Sequence, residues 1–186
     1  MLMALVMVVG MLPVSACAAD GETTYVLAGS DFQASSNAAG AAIVNGVIDQ
    51  IKADGYTKFD GFLFAGDYSV GATKAANVTY LKDTILTAYP ELTDDTMVLI
   101  QGNHDNASEY SGAEAGMVGN VIDVSGAHDA ENYGVFVINE QDYMWRNSSE
   151  ATIKNTAASL KGYLDAKRNA EYAKPIFVVS HLPLHY

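Results

Sequence analysis

Six residues at four places in this chain could do chemistry together. Asp31 stands just behind the run Thr24 to Gly29, and Asp67 behind FDGFLFAG. Asn103, His104 and Asp105 follow Gly102, directly after the run Thr96 to Ile100, and His181 follows PIFVVS. The first three places are spaced by 36 residues each, about one strand-helix-strand repeat. Two Asp carboxylates are hard oxygen donors, Asn103 adds a neutral carbonyl oxygen, and His181 adds a nitrogen suited to Zn, Fe or Mn. Taken singly, each residue has an ordinary use. An Asp behind a strand caps a helix, Gly-Asn makes a turn, and a lone His packs structurally. A turn has no use for His followed by Asp, however. The four places together point to a cation site with an acid-base group beside it.

The intervening elements must deliver these groups to one place. Ile43, Val44, Val47, Ile48 and Ile51 repeat at helical spacing, with Gly55 to close the helix. Val78, Leu81, Ile85 and Tyr89 mark a second helix, stopped by Pro90. With runs at 24–29, 59–65 and 96–100, the order is strand, helix, strand, helix, strand, which predicts an α/β fold with parallel crossovers. In such sheets ligands bind outside the carboxyl ends of the strands, so the four groups would share one edge. YGVFVI, Tyr133 to Ile138, reads as a further strand extending the same sheet. Ile153, Ala157, Leu160 and Leu164 give an amphipathic helix, and Pro175 to Ser180 the last strand. No linker, repeat or low-complexity block divides residues 24–186, which read as one domain.

Composition narrows the function classes. The chain has 186 residues, 49% hydrophobic and 17% charged, with a formal net charge of −12. No basic face is available to neutralise a phosphate backbone, so nucleic-acid binding is disfavoured. MLMALVMVVGMLPV is too short for a comfortable membrane span, and small residues follow it, as in a secretory leader. Residues 1–19 are therefore expected to be an export signal. The one cysteine, Cys17, ends Val14-Ser15-Ala16-Cys17, which resembles a bacterial lipobox; lipidation there would anchor the protein at a membrane. Ordinary cleavage near Ala16 or Ala19 is the alternative. No Lys or Arg precedes Lys52, so the usual basic start of a leader is missing. One cysteine also excludes an intramolecular disulfide.

In this order, Asp31-Phe32-Gln33, Gly66-Asp67, Gly102-Asn103-His104-Asp105 and Ser180-His181 resemble the motifs of the calcineurin-like metallophosphoesterase superfamily. The resemblance implies a four-layer α/β/β/α sandwich and a centre of two divalent or trivalent metal ions, Fe, Mn or Zn. It implies that Asp67 bridges both metals, with Asp31 and Gln33 at the first and Asn103 and His181 at the second. His104 would be the catalytic imidazole, with Asp105 orienting it. The implied reaction is hydrolysis of phosphate mono- or diesters, with a small-molecule or cell-envelope phosphoester as substrate.

Two features depart from the family. Gln33 stands where the first motif ends in His, and no Gly-His-x-His element occurs before Tyr186. The chain is therefore expected to stop short of the complete domain and, as a fragment, to be inactive. The rival expectation is a surface lipoprotein that keeps the fold as a binding module; a weaker one is a metal-dependent hydrolase of some other ester.

Minor signals add little. His185 follows His181 by four residues, but Pro183 between them speaks against a helical metal pair. His128 reads as a loop residue and Tyr68 as core. Sequons begin at Asn77, Asn106 and Asn147. No P-loop, G-x-G-x-x-G or G-x-S-x-G occurs, which disfavours nucleotide binding by those routes and a nucleophile-elbow hydrolase.

Overall fold

The computed structural model describes residues 3–6, 10–17, 23–31, 37–68, 74–105, 121–122, 124–139 and 149–182. These form a mixed α/β structure with two sheets. In the first sheet β2 (Gly10–Cys17), β3 (Thr23–Ser30), β4 (Gly61–Phe64), β5 (Met97–Ile100) and β6 (Val121–Ile122) lie in that order. The second runs β1 (Met3–Val6), β9 (Ile176–Ser180), β8 (Gly134–Ile138) and β7 (Gly126–Ala127). Strands β3 to β6 are parallel, and β2 returns antiparallel on β3. In the second sheet β1, β9 and β8 are parallel and β7 is antiparallel. The helices are α1 (Asn37–Ala53), α2 (Lys74–Ala88) and α3 (Glu150–Asn169). No described helix is long and apolar enough to cross a membrane.

Strands β4 and β5, and the middle of β3, are apolar because both of their faces are covered. Side chains alternate across a strand, so each short run divides between two cores. Leu27, Phe62, Phe64, Met97 and Leu99 pack with Val44, Ile48, Ile51, Val78, Leu81 and Ile85 of α1 and α2. Their neighbours Val26, Ala28, Leu63, Val98 and Ile100 pack instead with Tyr133, Val135, Val137, Phe177 and Val179 of the second sheet. The remaining face of that sheet supplies Phe136, Ile138 and Val178, against Leu160 and Tyr163 of α3.

The strand YGVFVI thus belongs to the second sheet and does not extend the first. Beyond β5 the first sheet is continued by β6, while β8 pairs with β9 and β7. Residues 3–6 and 10–17, expected as part of the export leader, lie as strands at one edge of each sheet. Helix boundaries follow the expected punctuation. Gly55, at φ 95°, closes α1 with Tyr56 N–H donating to the Ile51 carbonyl.

Two polar devices join the parts. Tyr133, fully buried between the sheets, donates from its hydroxyl to the Thr96 carbonyl at 2.7 Å, and burial holds its phenol far above the ordinary value. Helix α3 has no fully buried residue and is latched through Asp129, whose carboxylate accepts from Tyr163 Oη and Lys167 Nζ. Burial would raise the Asp129 carboxyl, but those bonds outweigh it and hold it below the usual carboxylate range.

Tyr133→Phe keeps the ring but leaves the Thr96 carbonyl without this donor. It should lower unfolding stability by about 1–2 kcal/mol, measured by urea denaturation followed by circular dichroism.

Candidate metal centre

The loops behind β3, β4 and β5 meet because their backbones interlock. Asp31 N–H donates to the Gly66 carbonyl at 2.9 Å. Asp31 and Asp67 both sit in the left-handed region, at φ 57° and 62°, a conformation Asp tolerates better than most residues and one that clusters at functional sites. Gly66 and Gly102 touch. A Cβ on Gly66 would lie 2.3 Å from Gly102 N, and one on Gly102 would lie 2.3 Å from Asp67 Oδ1. Neither position accepts any other residue without moving the site.

Asp105 clamps this contact. Its Oδ2 accepts from Asp67 N–H at 2.7 Å and from Gly102 N–H at 2.8 Å, while Oδ1 accepts from Tyr68 N–H at 3.2 Å. The carboxylate is buried and committed to three backbone amides. Its place is therefore that of a brace between two loops. Tyr68 is fully buried, as its sequence context suggested, and its hydroxyl donates to the Ile100 carbonyl at 3.0 Å. Burial, then the Asp105 charge, keep that phenol well above its ordinary value, so it remains a donor.

Asp31, Asp67 and His181 form a group that could hold a metal ion, with one ligand atom from each all within 4.8 Å of one another. His181 comes from the second sheet, so the centre is completed across the gap between the two sheets. Its Nδ1 lies 2.7 Å from the Ala65 carbonyl. A carbonyl can only accept, so the ring proton is assigned to Nδ1 and the Nε2 lone pair is left inward. That nitrogen faces Asn103 Oδ1 at 2.8 Å and Asp67 Oδ1 at 3.5 Å. Asp67 Oδ1 also accepts from His104 N–H. A cation held between these atoms, or an Asn103 amide turned to present its Nδ2, satisfies the Nε2 lone pair, and the mixture of carboxylate, amide oxygen and imidazole suits Mn, Fe or Zn. The Ala65 carbonyl is the kind of outer partner that fixes a ligating histidine's ring.

His104 lies in the turn after Asn103 and is exposed, and its backbone N–H donates to Asp67 Oδ1 at 2.9 Å. One turn therefore presents the Asn103 amide to the centre and His104 to solvent beside it. Gln33 and His185, like Asn106 and Asn147, lie outside the described residues. The backbone of Cys17 pairs with Thr23 at the end of β2, and Asn77 lies in α2. His128 lines a cleft with Asp94, Asp95, Asp129 and Glu131, which shares no residue with the centre.

The chain matches no family model and no curated protein. Three contributions were not foreseen from the sequence: the Asp105 clamp, the Ala65 carbonyl under His181, and the Ser30 hydroxyl, which donates to Asp31 Oδ2 at 2.6 Å. Ser30 and Ala65 each stand beside residues that were singled out, but no spacing rule marks a neighbour as a partner.

Asp105→Asn retains one acceptor oxygen for amides that now use two. It should destabilise the protein by about 2–3 kcal/mol in chemical denaturation. Because the clamp spaces Asp67 from Asn103, Mn2+ affinity measured by calorimetry should fall with it.

Proposed function

We propose that this protein is an exported, metal-dependent phosphoesterase resembling the calcineurin-like metallophosphoesterases, hydrolysing phosphate mono- or diesters. The observation that carries the reading is the convergence of Asp31, Asp67, Asn103 Oδ1 and His181 Nε2 beside an exposed histidine. The three apolar clusters, helix on sheet, sheet on sheet and sheet on helix, support a four-layer α/β/β/α arrangement. On this reading Asp67 would serve two metal ions, with Asp31 holding one and Asn103 with His181 the other; the carboxylate, amide oxygen and imidazole suit such ions. Gln33 is the further candidate on the Asp31 side.

Metal ions held there supply Lewis acidity to a phosphoryl oxygen. The chain's own residues do the rest. Asp31 and Asp67 concentrate negative charge that keeps the cations in place. His104, protonated, gives its Nε2 or Nδ1 proton to the departing alkoxide, a role worth roughly 100- to 10,000-fold. The Asp67 contact to His104 N–H keeps the turn that bears this imidazole against the metal ligands.

Export and lipidation at Cys17 remain part of the proposal. The apolar run and the Val-Ser-Ala-Cys sequence support them. Strands β1 and β2 lie at sheet edges, so cleavage there would take no strand from the interior of either sheet. A second reading is a binding module without turnover; Gln33 in place of the family's histidine favours it.

In the native protein His104→Ala should reduce turnover of p-nitrophenyl phosphate or bis(p-nitrophenyl) phosphate at least about 100-fold with metal content retained. Asp67→Asn should lose metal and activity together, read by elemental analysis and the same assay. Unchanged turnover in His104→Ala would remove that imidazole from the mechanism. Bound metal with neither ester cleaved would favour the binding module.

A further inference from the structure

The two carboxylates of the centre share a backbone state and differ in what aims them. Asp31 and Asp67 both follow a strand end and both have φ near 60°. The Asp67 carboxylate is held by a main-chain donor, His104 N–H at 2.9 Å. The Asp31 carboxylate is held by a side chain, the hydroxyl of Ser30, at 2.6 Å to Oδ2. Gly66 occupies the position before Asp67 that Ser30 occupies before Asp31, and it must be glycine because Gly102 lies against it.

We propose that Ser30 is a positioning residue for the cation site, setting the direction of the Asp31 carboxylate. The proposal rests on the metal reading above and concerns the Asp31 side of that centre. Its physical basis is the contrast in burial within the pair. Ser30 is 5% exposed, whereas Asp31 is exposed. Water could solvate the Asp31 carboxylate as well as a hydroxyl does, so the bond is not needed to offset burial of charge. What water cannot do is hold the group at one rotamer. A hydroxyl-to-carboxylate bond this short is charge-assisted and directional. It engages Oδ2, and a carboxylate oxygen of Asp31 lies within 4.8 Å of the ligand atoms of Asp67 and His181. The backbone fixes the direction of the Asp31 Cα–Cβ bond through the Asp31 N–H to Gly66 carbonyl contact, and Ser30 fixes the torsion beyond it. Both restraints come from rigid places, the last residue of β3 and the Gly66 loop.

A merely structural Ser30 and a positioning Ser30 make different predictions. Asp31 is exposed, so water can replace the lost hydroxyl bond at its carboxylate, a change that the fold tolerates. Ser30→Ala in the 186-residue chain should therefore leave the thermal midpoint of the metal-free protein where it is. Its affinity for Mn2+ in titration calorimetry should fall about 10- to 100-fold, the usual effect of losing an outer-shell partner. Ser30→Thr, which keeps the hydroxyl, should restore most of the affinity. Wild-type affinity in Ser30→Ala would overturn the proposal while leaving the metal site standing. So would an affinity loss that tracks a lowered midpoint and is not rescued by Thr. If the wild-type chain binds no Mn2+, the metal reading itself fails and this inference goes with it.

Discussion

The contact between Gly66 and Gly102, closed by the Asp105 carboxylate, is the constraint on which the rest of the centre depends. Two loops from neighbouring parallel strands approach until a single methyl group would collide with backbone. Such proximity of main chains leaves amide N–H groups pointing at one another's loops, and these need an acceptor. Asp105 supplies two oxygens to three of them. The negative charge strengthens each bond, and its burial is offset because every oxygen is occupied. Asp67 and Asn103 then have their separation set by main chain. That is a stiffer arrangement than side chains alone could provide.

The same closeness creates an electrostatic demand. Bringing Asp67, Asn103 and His181 together aligns lone pairs, and the Ala65 carbonyl removes the alternative of turning the His181 proton inward. Asp31, Asp67 and His181 could hold a cation there. In a chain with net charge −12, the surrounding field favours cations over anions.

The second sheet matters to the site because His181 stands at its edge. The two sheets are held face to face by the aliphatic residues of β3, β4, β5, β8 and β9, with the Tyr133 hydroxyl reaching the Thr96 carbonyl across the gap. A shift between sheets would move His181 relative to Asp67 before it disturbed either carboxylate loop. The apolar inter-sheet core thus bears on the geometry of the candidate centre, although it includes none of Asp31, Asp67 and His181.

How much of this was legible beforehand follows from the range of each interaction. Periodicity located α1, α2, α3 and the main strands, because amphipathic spacing is local and the punctuating Gly55 and Pro90 act on their own neighbours. The short β6 and β7 left no such pattern, and the apolar N-terminal run reads alike as a leader or as edge strands. Residue types marked Asp31, Asp67, Asn103 and His181, since donor chemistry belongs to the side chain itself. By itself, then, the sequence determined an α/β chain with cation-binding groups at strand ends and an imidazole among them. Only the tertiary structure decided that YGVFVI would build a second sheet, that Asp105 would brace loops, and that the Ala65 carbonyl would meet the His181 ring. The last two depend on which groups come within hydrogen-bonding distance across 37 to 116 residues, and no local pattern encodes that distance.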